Sequence, residues 1–367
     1  MLRAPASVDV DPAPPPLVGL YPTCACVVPV GGSCPAHVAR HEGMDVTVVV
    51  CPELGPLSNL RVETRTLADP GPGEVRLRVG AAGVNFVDAL FVQGTYQIKP
   101  PTPFVPGSDV AGVVDAVGPG VEGWSPGDRV LAMVGLGGYA SAVNVGATQL
   151  LRLPGDLGLD RAAGMLQAYA TARYSLVNRA GLAAGDKALV LGAGGGVGLA
   201  CVDTAQGLGA EVVAAASSPE RLAAATAAGA AHTLDYSVAD LKLAVREAVG
   251  YVDVVIDPVG GDLTEAALRT LGEDGRLLVV GFASGVIPRL PANQILLRNR
   301  RVVAVDWGGW SLTHAEANRA LLEDVVADAA EGRVHPVTPV AYPLTDAAAA
   351  LADLQGRRLV GKAVLVP

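Results

Sequence analysis

The sequence predicts a mixed α/β chain: a β-rich part, then a doubly wound parallel sheet. Three observations carry that expectation. Residues 44–155 read as short β segments broken by Gly and Pro. From about residue 160 the texture changes to strands alternating with Ala-rich helices, the pattern of a parallel sheet. A glycine cluster stands between a strand and a helix in that second part. With 367 residues there is room for two domains at about 150 each. An apolar share of 50% against 17% charged gives material for a large core and excludes disorder over most of the chain.

Taken in order, residues 1–43 differ from the rest. "DPAPPPLVGLYP" should be extended and poorly packed, so a disordered extension is expected, with Met44 the natural start. Cys24, Cys26, Cys34, His37 and His41 fall close together there, but their spacing matches no zinc module, and no metal site is predicted. "MDVTVVV" reads as a first strand, followed by "EVRLRVGAAGV", "DVAGVVDAVG" and "GDRVLAMV". In the second part "KALVLG" is a buried strand, a helix runs over 196–209, and "EVVAAAS" is the next strand. "PERLAAATAAGA" is a helix with Pro219 in its first turn. "HTLDY", a helix near 237–249, "VDVVID", a helix near 262–271, "GRLLVVG" and "RVVAVD" follow. Helices at about 313–331 and 345–354 and the strand "KAVLVP" complete the chain.

The net charge of −9 offers no basic face for a nucleic-acid backbone and disfavours an anionic membrane surface. Two long uncharged stretches do not read as membrane spans. Residues 12–36 carry seven prolines, and 130–151 are interrupted by four glycines. Five cysteines, with no CxxC and one after Cys51, fit a reducing compartment, so a cytoplasmic protein is expected.

The strongest chemical signal is "KALVLGAGGGVGLA". A strand ends at Leu191, Gly192, Gly195 and Gly198 follow in G-x-x-G-x-x-G order, and a helix begins among them. Missing side chains let backbone approach a pyrophosphate, and a helix N-terminus offers it unpaired N–H groups. Sites for NAD usually place Asp or Glu at the end of the second strand, for the ribose 2′-hydroxyl. Here that strand ends in Ala216, Ser217 and Ser218, with Arg221 in the next helix and Tyr236 ending the third strand. Hydroxyls, a guanidinium and a phenol suit a 2′-phosphate, so NADPH is the expected cofactor.

From Met44 onward the chain resembles the zinc-independent quinone oxidoreductase branch of the medium-chain dehydrogenase/reductase superfamily. "AAGVNFVDALFVQGTYQIKPPTPFVPGSDVAGVV", "GVEGWSPGDRV", "GGYASA", "GAGGGVGLA" and "GKAVLVP" carry the likeness, collinearly. The resemblance implies a GroES-like catalytic domain over 44–166 and 308–367, and a Rossmann NADPH-binding domain over 167–307. It also implies a homodimer paired through the last Rossmann strand, in "RRVVAVDWGG". Zinc-dependent relatives place Cys where this chain has Asn85 and His where it has Ser108, and neither substitute is a usual zinc ligand.

Carried over by motif, Gly195, Gly196 and Val197 should face the pyrophosphate, and Ser217, Arg221 and Tyr236 the 2′-phosphate. Thr171 should approach the nicotinamide ribose, with Val259, Gly281 and Phe282 lining the nicotinamide side. Asn85 should sit by the nicotinamide and substrate, and Tyr96 matches a family tyrosine that can donate a proton. The activity implied is NADPH-dependent hydride delivery to a small electrophile, a quinone or an α,β-unsaturated carbonyl. Reduction of 2-enoyl thioesters is the enzymatic alternative. An NADPH-binding redox sensor or structural protein with little catalysis is the alternative of another class. His232, His314 and His335 read as structural, and Trp307 and Trp310 as packing residues.

Overall fold

A computed structural model describes residues 43–155 and 157–367. The cysteine and histidine cluster at 24–41 and the expected N-terminal extension, Gly43 apart, lie outside the described residues.

The N-terminal part begins with a hairpin, β1 (Met44–Val50) antiparallel to β2 (Arg61–Leu67). β3 (Glu74–Val84) follows, then helix α1 (Phe86–Gln93), β4 (Asp109–Val117), β5 (Arg129–Met133), β6 (Ala142–Gly146) and β7 (Leu150–Arg152). The uncharged stretch 130–151 therefore resolves into short strands. In β3 alternate residues Val75, Leu77 and Val79 are buried, the period-2 pattern of a strand packed on one face.

Helix α2 (Leu159–Arg173), extended by a π-helical stretch Tyr174–Ala180, leads into the second sheet. There β8 (Lys187–Leu191), α3 (Gly196–Gly207), β9 (Glu211–Ala216), α4 (Pro219–Ala227), β10 (His232–Asp235), α5 (Leu241–Val249), β11 (Val252–Asp257), α6 (Asp262–Leu268) and β12 (Leu271–Val279) alternate. The short helix α7 (Ala292–Leu296) precedes β13 (Arg301–Ala304). The six strands are all parallel, in the order β10-β9-β8-β11-β12-β13. Counted along this sheet alone that is 3-2-1-4-5-6, the Rossmann order, with β13 at an edge.

The last part contains α8 (Trp307–Thr313), α9 (Ala315–Ala330), β14 (Val340–Pro343), α10 (Ala347–Gln355) and β15 (Ala363–Val366). β14 and β15 return to the first sheet, whose order is β14-β15-β3-β4-β5-β7, with β6 also paired to β3. The two-domain α/β class holds: a GroES-like sheet and a Rossmann sheet. One core cluster runs from Ala81 and Leu131 of the first sheet through α2 and α3 to Val190 and Ile256 of the second.

Several helix ends differ from expectation for local reasons. The helix expected near 237–249 starts at Leu241, because Asp240 caps it by accepting the Leu243 N–H at 2.9 Å. The helix expected near 262–271 ends at Leu268, since Leu271 already pairs with Val252 in the sheet. The helix expected over 196–209 stops at Gly207, and Gly209 turns the chain at φ +83°. Among the described residues no helix is long and apolar enough to cross a membrane.

Candidate active site

The glycine turn lies at the C-terminal end of β8, beside the position where the strand order reverses. Gly192 has φ +60°, open to glycine at little cost. A Cβ on Gly198 would lie 2.2 Å from the Gly192 carbonyl oxygen, so only glycine lets α3 start this close to the turn. Gly195 is the N-cap of α3 and Gly196 its first residue. The first-turn N–H groups of such a helix have no intrahelical acceptor, and a Cβ on Gly195 would come no nearer than 3.4 Å to any neighbour. The turn is thus a bare backbone cradle of the kind that takes a phosphate.

At the end of β9, Ser218 caps α4 and Arg221 stands in its first turn. No carboxylate follows Ala216 before Glu220. Arg221 Nη2 donates to the main-chain oxygens of Arg357 (2.6 Å) and Leu359 (2.9 Å), so Arg221 holds the segment leading into β15. Sequence reasoning missed those partners. Gly361 N donates to Gly194 O at 2.9 Å, so residues 357–361 lie directly along the glycine turn. Tyr236 is half-buried, and its N–H donates to Ala216 O at 3.1 Å, which brings it to the end of β9 with Ser217.

A second loop pair meets the turn from β11 and β12. Buried Asp257 accepts N–H bonds from Val259 (2.8 Å) and Gly260 (2.9 Å) and the Thr264 hydroxyl at 2.5 Å. That fixes Val259 against Gly192, where a Cβ would meet Val259 at 2.9 Å. The loop holding Gly281 and the partly exposed Phe282 is pinned to it, Ala283 N donating to Pro258 O at 3.0 Å and Ser284 N to Val259 O at 2.8 Å.

Asn85 sits at the N-terminus of α1 and is buried at 6% exposure. Its side-chain amide is held on every side. Nδ2 donates to Asp109 Oδ1 (2.6 Å) and Ser108 Oγ (3.2 Å), and Lys362 Nζ donates to Oδ1 at 2.6 Å. Lys362 also donates to Val84 O at 2.9 Å, and Ser108 Oγ donates to Gln167 Oε1 at 2.8 Å. Asp88 Oδ2 accepts the Asn85 N–H (2.8 Å) and the Tyr139 hydroxyl (2.9 Å). Burial, and then the charge of Asp109, push the Asp88 carboxyl up to about 7. Burial also raises Asp109 and lowers Lys362, each opposed by the opposite charge of the other. Lys362, Asp88, Asp109, Tyr139 and Gln167 were not among the expected site residues. The signal available was a lone Lys and lone Asp residues inside apolar runs ("VGKAVLV", "NFVDALFV"), which need buried partners.

Thr171 lies one helical turn beyond Gln167 on α2 and donates its hydroxyl to Gln167 O at 2.8 Å, so it shares the face that reaches Ser108. Tyr96 lies two residues past Gly94, which ends α1, hence at the opposite end of that helix from Asn85. Its ring packs edge-on to Phe91 at 5.1 Å, and a Cβ on Gly308 would lie 3.8 Å from its hydroxyl. The remaining candidates take structural positions. His232 meets Glu211 at 2.8 Å, His314 stacks on Trp310 between α8 and α9, and buried Trp307 donates to Asn318 at 2.9 Å. Among the described residues no cluster of three or more His, Cys, Asp or Glu side chains could hold a metal ion.

A Rossmann sheet with a bare glycine turn, joined to a GroES-like sheet that brings buried polar residues alongside, defines a two-domain oxidoreductase. The comparisons agree. Residues 71–180 match the alcohol dehydrogenase GroES-like domain, and residues 196–323 the zinc-binding dehydrogenase family. Quinone oxidoreductase-like protein 2 of Bos taurus is 36% identical over 326 residues, covering 88% of this chain and 93% of that protein. A 2-haloacrylate reductase from Burkholderia is 34% identical over 336 residues, covering 88% and 99%. The crystal structure of Escherichia coli quinone oxidoreductase complexed with NADPH superimposes with a TM-score of 0.79 at 29% identity, covering 88% and 100%. The chain belongs to the quinone oxidoreductase branch of the medium-chain dehydrogenase/reductase superfamily.

Proposed function

We propose that this protein is an NADPH-dependent, zinc-independent reductase that delivers hydride to quinones or α,β-unsaturated carbonyls. The observation that carries this reading is the glycine cradle at Gly192–Gly198, with Ser217, Ser218 and Arg221 in place of an acid at the end of the neighbouring strand. A 2′-phosphate needs donors and positive charge there, whereas a bare 2′-hydroxyl is usually met by a carboxylate. Both side-chain hydrogen bonds described for Arg221 come from Nη2, so its Nε and Nη1 donors would be the ones offered to a phosphate.

The residues fit a dinucleotide. Gly195, Gly196 and Val197 would hold its pyrophosphate at the α3 N-terminus, and Ser217, Arg221 and Tyr236 its adenosine end. Thr171, Val259, Gly281 and Phe282 would bound the nicotinamide side. Bound NADPH supplies the hydride, and the protein's share is binding, orientation and electrostatics. Asn85 has both amide protons committed, to Asp109 and Ser108, and its oxygen is the accepting end, beside Lys362. Asn85 therefore orients and accepts rather than donates. Tyr96 is the candidate proton source for the reduced product.

Zinc does not fit this centre. An amide, a hydroxyl and the Gln167 amide are poor zinc ligands, and the Lys362 ammonium already lies against Asn85. The acceptor is then one that needs no Lewis acid, which favours electron-poor quinones and enones. The likeness to a 2-haloacrylate reductase favours conjugated carboxyl compounds as a second acceptor class. The reading includes a cytoplasmic homodimer paired through the β13 edge, with no nucleic-acid or membrane partner. The test is oxidation of NADPH, followed by its near-ultraviolet absorbance, with a panel of quinones, enones and 2-enoyl thioesters. Tight NADPH binding without turnover on any of them would leave a cofactor-sensing role instead.

A further inference from the structure

We infer that Lys362 is a positioning residue of the reaction centre, registering the Asn85 amide against the glycine turn; this rests on the reductase reading above. The geometry is as follows. Lys362 follows Gly361, whose N–H is bonded to Gly194 O, so its backbone is fixed to the cofactor turn. Its stem packs on α3, where a Cβ on Gly196 would lie 2.5 Å from Lys362 Cδ. Its ammonium then reaches into the GroES-like part and donates to Val84 O and Asn85 Oδ1, 8% of the residue remaining exposed.

One side chain therefore touches both the turn that would take the pyrophosphate and the amide that would face the reacting ring. No other residue in the Asn85 network does so. Ser108 and Asp109, at the start of β4, bond Asn85 directly, and Gln167 of α2 supports both of them. The ammonium also fixes which way the Asn85 amide points. A cation must meet the oxygen and the Asp109 carboxylate must meet the NH₂, so a flipped amide would set like against like at both ends. Removing the ammonium frees the amide to flip and uncouples its position from the turn. Because hydride transfer depends steeply on alignment, displacement of about 1 Å can lower turnover about 100-fold without loss of binding.

A competing account would give Lys362 only the task of neutralising Asp109. Lys362→Met and the double variant Lys362→Met/Asp109→Asn separate the two. The positioning role predicts that Lys362→Met lowers kcat at least tenfold while the NADPH Kd, from fluorescence titration, stays within about threefold. The double variant removes both charges together and should recover melting temperature but not kcat; Asp109→Asn alone is the control. Should Lys362→Met fail to fold, the double variant carries the test by itself. Wild-type kcat in either Lys362 variant would overturn the proposal. If the wild-type protein turns over no acceptor, the reductase reading has failed and the side-chain amide NMR signal of Asn85 decides the inference. Slow hydrogen exchange there, lost in the double variant but kept in Asp109→Asn, supports it, and unchanged exchange refutes it.

Discussion

Replacing Asp88 by Asn should make the stability of this protein depend on pH in a different way. Asp88 is fully buried and makes two hydrogen bonds through Oδ2, while its Oδ1 has no partner. Burial, reinforced by the charge of Asp109, raises its carboxyl from 3.8 to about 7. The folded state thus prefers the protonated acid. Its contribution to stability is complete below the unfolded value near pH 4, and is lost as pH rises through about 7. A shift of about three units at about 1.4 kcal/mol each gives about 4 kcal/mol lost across that window. Asn keeps the oxygen that accepts from Asn85 N and the Tyr139 hydroxyl, but has no proton to lose. The stability of Asp88→Asn relative to wild type should therefore climb by about 4 kcal/mol between pH 4 and pH 8. Urea unfolding of both proteins in steps across that range measures it. A difference that stays constant with pH would show that Asp88 is not held protonated by its surroundings.

Other substitutions probe the cofactor side and the proton. Arg221→Ala should weaken NADPH binding by about 10- to 100-fold, the worth of a charge-assisted contact of about 1.5–3 kcal/mol, and leave NADH binding nearly unchanged. Titration with both dinucleotides checks this; equal losses would assign Arg221 to the 357–359 segment alone. Gly198→Ala places a methyl 2.2 Å from the Gly192 oxygen, a backbone atom that cannot step aside. It should cost about 1–3 kcal/mol in stability and abolish tight NADPH binding, read by melting temperature and fluorescence titration. Tyr96→Phe should lower turnover on enoyl-type acceptors by about 100-fold or more with NADPH affinity intact. Activity that persists would assign the proton to another group.

The fold was legible because its signals are local. The strand–glycine–helix run at 187–207 and the repeated βα texture after it need no tertiary information. Helix starts were less legible, because a cap such as Asp240 outweighs the apolar pattern that precedes it. The centre around Asn85 was half legible. Asn85 and Ser108 stood out as unlike zinc ligands, but sequence could not show that they bond to each other, or that Ser108 bonds to Gln167. Lys362 escaped altogether, since it meets Asn85 from 277 positions away, through strands that pair only in the finished sheet. Arg221 shows the converse. Its residue type and place suit a phosphate, and the protein also employs it on two backbone carbonyls that no motif encodes.

The pairing of β15 with β3 has a consequence for how the protein is made. The six Rossmann strands are contiguous in sequence and can assemble while the ribosome is still adding later residues. β3 cannot finish its sheet until a segment 278 positions downstream, marked by the Lys362–Val84 bond, has left the exit tunnel. Until then the Ala82–Val84 stretch of β3, beyond the part that β6 covers, is an open template for a stray strand. The sheet begun first is therefore the sheet completed last.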